Sequence, residues 1–230
     1  MIPYSTQTIT ILDAIYVARQ VKFRSLTQGS EIQKFEKSIS QYVGAKYAVA
    51  VSSATAGLHI AHLALGHPLG SKVVTSPISF VASANSIIYA GQMPIFVDVE
   101  MDSGNLSAEK LAETLNSQNI STVVPVHFAG NPCDMEKIYE LCKAQTISII
   151  EDAAHALGSN YITGEKIGSC KYSDMTVFSF HPVKSITTGE GGVVTTNNPE
   201  LYAKLLKLRS HGIQKMTLNQ LMNCWVKLTG

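Results

Sequence analysis

The chain reads as an α/β protein built on an open, mostly parallel sheet with helices on both faces. Three observations predict this. Short apolar runs alternate with amphipathic stretches of helical period through most of the sequence. The strand–helix–strand order repeats from Tyr47 to Glu151, as an open, mostly parallel sheet requires. At 230 residues and 45% hydrophobic content, the chain can bury one large core, or one core plus a small satellite.

In chain order, residues 8–22 and Ser30–Val43 are predicted helices, parted by Phe23-Arg-Ser-Leu-Thr-Gln-Gly29 and stopped by Gly44. Predicted strands are Tyr47–Val51, Val73–Val74, Pro94–Val99, Thr122–His127, Ile147–Glu151 and Met175–Phe180. The helices between and after them are Leu58–Leu65, Ser79–Ala90, Ser107–Leu115, Asp134–Ala144 and Glu200–Arg209, with strand character continuing to Thr196. This pattern gives 1–29 as an N-terminal segment and 30–212 as the main domain.

Several function classes are set aside at this level. A net charge of +1 implies neither nucleic acid nor an anionic membrane as partner. No apolar run reaches the length of a membrane span, and Met1-Ile-Pro-Tyr4 does not look like a signal peptide. Four cysteines without CxxC spacing read as thiols of a cytoplasmic protein, and no metal site is expected. His59 and His62, three apart, are a poor metal signal and fit a polar stripe better.

In open sheets, ligands gather beyond the carboxyl ends of the strands, so the residues following each strand matter most. After the first strand, Ser53-Ala54-Thr55-Ala56 opens a helix, where free N–H groups and hydroxyls suit a phosphate. An ordinary serine N-cap is the alternative. After the second, Phe80 either offers a flat face to an aromatic ligand or belongs to the core. After the fifth, Asp152 suits a pyridinium nitrogen or caps a turn, and His155 follows three residues on. After the sixth come Ser179 and Lys184. A lysine there is either a surface ammonium or, desolvated, an amine able to condense with an aldehyde. Phosphate cradle, ring platform, pyridinium partner and amine together are the parts a pyridoxal phosphate enzyme needs. The residue types of a hydrolase triad (Ser53, His155, Asp152) are present, but no nucleophile elbow accompanies them.

Six ordered motifs, Ser-Ser-Ala-Thr-Ala-Gly (52–57), Pro-Ile-Ser-Phe-Val-Ala (77–82), Glu-Asp-Ala-Ala-His-Ala (151–156), Phe-Ser-Phe-His-Pro-Val-Lys (178–184), Thr-Thr-Gly-Glu-Gly-Gly (187–192) and Arg-Ser-His-Gly (209–212), resemble the DegT/DnrJ/StrS family of nucleotide-sugar aminotransferases. The resemblance implies the large domain of a fold-type I pyridoxal phosphate-dependent transferase. It makes Lys184 the Schiff-base lysine, Asp152 the partner of the pyridine nitrogen and Phe80 the stacking platform. His155 would neighbour the phenolic oxygen, Ala54, Thr55, Ala56 and Ser179 would hold the phosphate, and Tyr4, Arg24, Ser25, Leu26 and Thr27 would meet the substrate.

The activity implied is transamination of a 4-keto-6-deoxy sugar, UDP- or dTDP-linked, with glutamate as donor. Its setting would be the biosynthesis of a surface amino sugar such as pseudaminic acid, and the enzyme a homodimer. A sugar 3-dehydratase is the nearest enzyme rival, and Lys184, where those relatives carry histidine, speaks against it. The resemblance also implies that family members continue past Gly230, so 213–230 reads as the start of a connection to a small C-terminal domain. On that view the 230-residue chain is a large domain with exposed apolar surface and no transfer activity of its own, and a non-catalytic remnant of the fold is the rival from another class.

Overall fold

The computed structural model describes residues 5–213. Tyr4, expected at the substrate, and almost all of the expected connection 213–230 lie outside the described residues.

Seven strands form one sheet: β1 (Tyr47–Val51), β2 (Lys72–Thr75), β3 (Met93–Phe96), β4 (Ile120–Val124), β5 (Ser148–Asp152), β6 (Met175–Ser179) and β7 (Gly192–Thr196), in the order β1-β7-β6-β5-β4-β2-β3. The pairs from β3 across to β6 are parallel. β7 runs antiparallel to both β6 and β1. The predicted mostly parallel sheet is therefore present, with one reversed strand inserted between its first strand and the rest.

Alternation along the strands divides the core in two. Ile149, Val123, Val74, Val193 and Phe178 pack with α2 (Ser30–Val43), α5 (Ala108–Ser117) and α6 (Met135–Lys143). Their immediate neighbours Ile150, Val124, Val73, Val194 and Val177 pack with α3 (Ala54–Leu65), α4 (Ala82–Tyr89) and α7 (Pro199–Arg209). Apolar residues on both faces explain why the central strands read as continuous hydrophobic runs. Each such valine or isoleucine, fully buried, contributes about 1.5–3 kcal/mol.

α1 (Ile11–Phe23) opens with a capping box in which the Thr10 hydroxyl accepts the Asp13 N–H while the Asp13 carboxylate accepts the Thr10 N–H. It buries no residue: Ile11, Leu12, Ile15 and Val21 are all exposed. No described helix is long and apolar enough to cross a membrane.

Four predicted elements end three residues earlier or start three later than the sequence suggests. The helix expected from residue 8 begins at Ile11, and the strand expected to reach His127 ends at Val124. The third strand stops at Phe96, after which Val99 makes only an isolated bridge to Leu106. The helix expected from Ser79 begins at Ala82, because Ser76–Val81 forms a turn in which the Ser76 hydroxyl accepts the Ile78 N–H.

Candidate active site

The carboxyl ends of β5 and β6 open into a cavity of about 870 Å³ on the α3/α4 side of the sheet. Ala54, Thr55, Phe80, Asp152, His155, Ser179 and Lys184 all line it. The structure thus brings together, in one place, residues spread over 130 positions of sequence, from 54 to 184.

The floor is set by a close approach of backbone to backbone. Gly192 begins β7 and pairs with Ser179. A Cβ at Gly192 would lie 2.6 Å from the carbonyl carbon of Ser53 and 2.7 Å from the nitrogen of Ala54, so only glycine lets the β6–β7 ends meet the start of α3. Gly57 presses the same helix onto the sheet, where a Cβ would meet Val177 at 2.9 Å. Ser53 is the N-cap, its hydroxyl accepting the Ala56 N–H at 3.1 Å. The cap reading holds and does not compete with the other, since the cap uses Ala56 while the N–H groups of Ala54 and Thr55 have no partner among the described residues. Ala56 does not line the cavity. The result is an anion-receptive helix end flanked by the Ser179 hydroxyl.

Phe80 is 73% exposed at the cavity wall, which removes the core alternative. Asp152 is only 4% exposed, and its carboxylate is held by two donors. The Ser83 hydroxyl donates to Oδ2 at 2.6 Å and the Ala154 N–H to Oδ1 at 3.2 Å.

Lys184 stands on the loop after β6, whose base is closed by the Phe180 N–H donating to the Gly191 carbonyl and the Thr188 N–H to the Phe180 carbonyl. Its own N–H donates to the His181 carbonyl at 2.9 Å, which turns the chain back over the cavity. The ammonium has no ion pair among the described residues; burial pushes its pKa below the ordinary lysine value, against the opposing pull of the Asp152 carboxylate. The His155 imidazole is likewise lowered, by burial first and then by the positive charge of Lys184, with Asp152 opposing. Lysine, histidine and aspartate therefore share one electrostatic environment.

Arg24, Ser25, Leu26 and Thr27 are not brought to this cavity within the chain: they form the exposed turn between α1 and α2. The neighbouring Gln28 lines a separate space of about 1020 Å³ between α2, β1 and α7. His62 is buried and His59 packs edge-on against Tyr89; no cluster of three metal-binding side chains occurs among the described residues. Ser83 is the site residue that sequence reading missed. Its signal was present as a hydroxyl three residues after Phe80 and four after Ser79, one helical turn away, but nothing in the spacing shows that it points at β5.

A helix end open to an anion, an exposed aromatic face, an anchored carboxylate and a lysine of lowered pKa, at the strand ends of an α/β sheet, define the class of enzyme that works through an aldehyde cofactor bearing a phosphate and a pyridine ring. The chain belongs to the DegT/DnrJ/EryC1/StrS aminotransferase family, whose model matches residues 11–230. It is 44% identical over 221 residues to the UDP-4-amino-4,6-dideoxy-N-acetyl-beta-L-altrosamine transaminase of Campylobacter jejuni, covering 95% of this chain and 57% of that protein. Its fold superposes on Helicobacter pylori PseC, an aminotransferase involved in the biosynthesis of pseudaminic acid, with a TM-score of 0.88 at 34% identity, over 94% of this chain and 57% of that one. A Bacillus subtilis protein, NtdA, solved with the cofactor PMP bound, matches with a TM-score of 0.78 at 30% identity, over 90% of this chain and 45% of that one. The chain thus spans somewhat more than half the length of its curated relative from Campylobacter.

Proposed function

We propose that the protein takes part in pyridoxal 5′-phosphate-dependent transfer of an amino group to a keto sugar carried on a nucleotide. The observation that carries this is the single cavity in which the Lys184 amine, the Asp152 carboxylate and the open N-terminus of α3 face one another. The residues present fit the cofactor. The N–H groups of Ala54 and Thr55, without partners among the described residues, and the Ser179 hydroxyl would take its phosphate, Phe80 would cover one face of its ring, and His155 would neighbour the ring oxygen. Ala56 would contribute through the cap it completes rather than by direct contact.

When bound, the cofactor supplies an aldehyde for the amine to condense with and a ring that accepts the electron pair of the donor's α-carbon. Lys184 would do two things. Its amine would hold the cofactor through the aldehyde, and it would act as the general base for the proton on the donor's α-carbon. Its lowered pKa serves both tasks by enlarging the neutral fraction. Asp152 would keep the ring nitrogen protonated, which its two anchoring hydrogen bonds suit it to do without moving.

The likeness to the Campylobacter transaminase supports a UDP-linked 4-keto-6-deoxy sugar as acceptor, and the likeness to PseC a surface amino sugar such as pseudaminic acid as the destination; glutamate is our reading of the donor. We further read 30–212 as the cofactor domain of a cytoplasmic homodimer, in which 1–29 supplies substrate contacts. The exposed apolar residues of α1, such as Ile11, Leu12, Ile15 and Val21, and the exposed turn Arg24–Thr27 support that reading, since none of them is buried among the described residues. The test is to incubate the protein with the cofactor, glutamate and a UDP-linked 4-keto-6-deoxy sugar, follow formation of the amino sugar by mass spectrometry, and reduce a parallel sample with borohydride. A pyridoxyl label on Lys184 is expected, and amino-sugar formation by the 230-residue chain would overturn the view that it has no transfer activity of its own. A label on Lys166, Lys171 or Lys204 would overturn the reading.

A further inference from the structure

We infer that Ser83, backed by Ser79, is the positioning residue that aims the Asp152 carboxylate into the cavity; this rests on Asp152 being the partner of the cofactor's ring nitrogen. Ser83 sits in the first turn of α4 and is 1% exposed. Its Oγ lies 2.6 Å from Asp152 Oδ2 and 2.5 Å from Ser79 Oγ. A hydroxyl carries one proton. Ser83 gives that proton to the carboxylate, the stronger acceptor, so Ser79 must be the donor in the serine pair. The Phe80 carbonyl, 3.3 Å from the same oxygen, is then left without it. Two hydroxyls in series therefore end on Asp152, and burial strengthens each link of such a chain.

The arrangement has a specific consequence. Rotation of a carboxylate about its last bond is broad and weakly restrained, so the plane of Asp152 must be fixed from outside. The Ala154 N–H holds Oδ1 from the strand's own continuation, and Ser83 holds Oδ2 from a different element. With both oxygens tied, the remaining lone pairs have one direction to serve. The segment that supplies this restraint, Ser79 to Ser83, also carries Phe80, so ring platform and nitrogen partner are mechanically linked through one turn.

The test uses the full chain loaded with pyridoxal phosphate carrying 15N in its ring, and compares Ser83→Ala, Ser79→Ala, Ser83→Thr and Asp152→Asn. The primary readout is the ring-nitrogen resonance, which reports its protonation; the second is the rate of the glutamate half-reaction. Ser83→Ala should move the resonance part of the way toward the Asp152→Asn position and slow the half-reaction about tenfold, the effect of losing one hydrogen bond to a charged group. Ser79→Ala should shift it less in the same direction, and Ser83→Thr should restore it. If Asp152→Asn shifts the resonance while Ser83→Ala leaves it in place, the inference fails and the role of Asp152 stands. If Asp152→Asn leaves it in place, the role of Asp152 fails, and the inference with it. Should Ser83→Ala not fold, Ser79→Ala decides, and an unshifted resonance there overturns the inference.

Discussion

Two acids stand side by side at the end of β5, and they face opposite sides of the sheet. Glu151 points to the α2/α5/α6 side, where it is wholly buried. It accepts from His127 Nε2 at 2.8 Å, from the Tyr161 hydroxyl at 2.9 Å, from Thr176 at 3.0 Å and from Ser173. The Cys133 N–H occupies His127 Nδ1, which leaves Nε2 to donate. Burial alone would push the Glu151 carboxyl up, yet these donors, His127 first, hold it below the usual glutamate range. Asp152 points to the other side, has two donors and borders an open cavity. One strand end is thus both rivet and tool. A buried acid whose lone pairs are all spent holds parts together, whereas one with acceptor capacity left over is available to a ligand.

Four experiments probe that division between the open and the closed side. Lys184→Ala removes the amine that the open side exists to position. It should abolish borohydride-trappable cofactor with little change in melting temperature and, in an otherwise complete enzyme, reduce amino transfer by at least about a thousandfold, some 4 kcal/mol in the barrier. Retained trapping would mean that another lysine is the anchor.

Glu151→Gln tests the closed side. An amide cannot accept from so many donors, and it brings two N–H groups of its own. Chemical denaturation should show a loss of about 3 kcal/mol, in the range for breaking a buried charged network. A stability near wild type would make Glu151 no more structural than its neighbour.

Asp152→Asn is the matched substitution across the sheet. In an otherwise complete enzyme, transamination should fall at least about a hundredfold, or 2.7 kcal/mol in the barrier, while denaturation of the chain changes by less than about 1 kcal/mol. If this variant unfolds as readily as Glu151→Gln, the division of labour between the two acids is wrong.

The smallest effect lies in pH. Burial disfavours the charged form of Lys184, so its folded pKa lies below the ordinary 10.5. Between those two values the unfolded chain holds a proton that the folded chain has released, so stability gains slightly as pH rises through the window and the penalty is fully present below it. The rate of cofactor condensation should accordingly reach half its maximum below pH 10.5. A midpoint at or above that value would show that Lys184 is solvated like any surface lysine.

Much of this molecule is legible in its linear chain. The strands Tyr47–Val51 and Met175–Ser179 and the helix Ser30–Val43 could be read there because local period and capping fix them; the chain between Gly29 and Gly44 has one amphipathic solution. The polar residues after the strands were legible because loops carry chemistry that cores exclude. The direction of the last strand was not. The antiparallel course of β7 depends on the short return from Lys184 to Gly192, which leaves no room for a crossover helix, and apolar runs look alike in either direction. Nor could spacing separate Glu151 from Asp152. Adjacent acids are chemically similar in a linear chain, and only the pleat, by sending one toward Tyr161 and the other toward Ser83, settled which became structural and which faces the cavity.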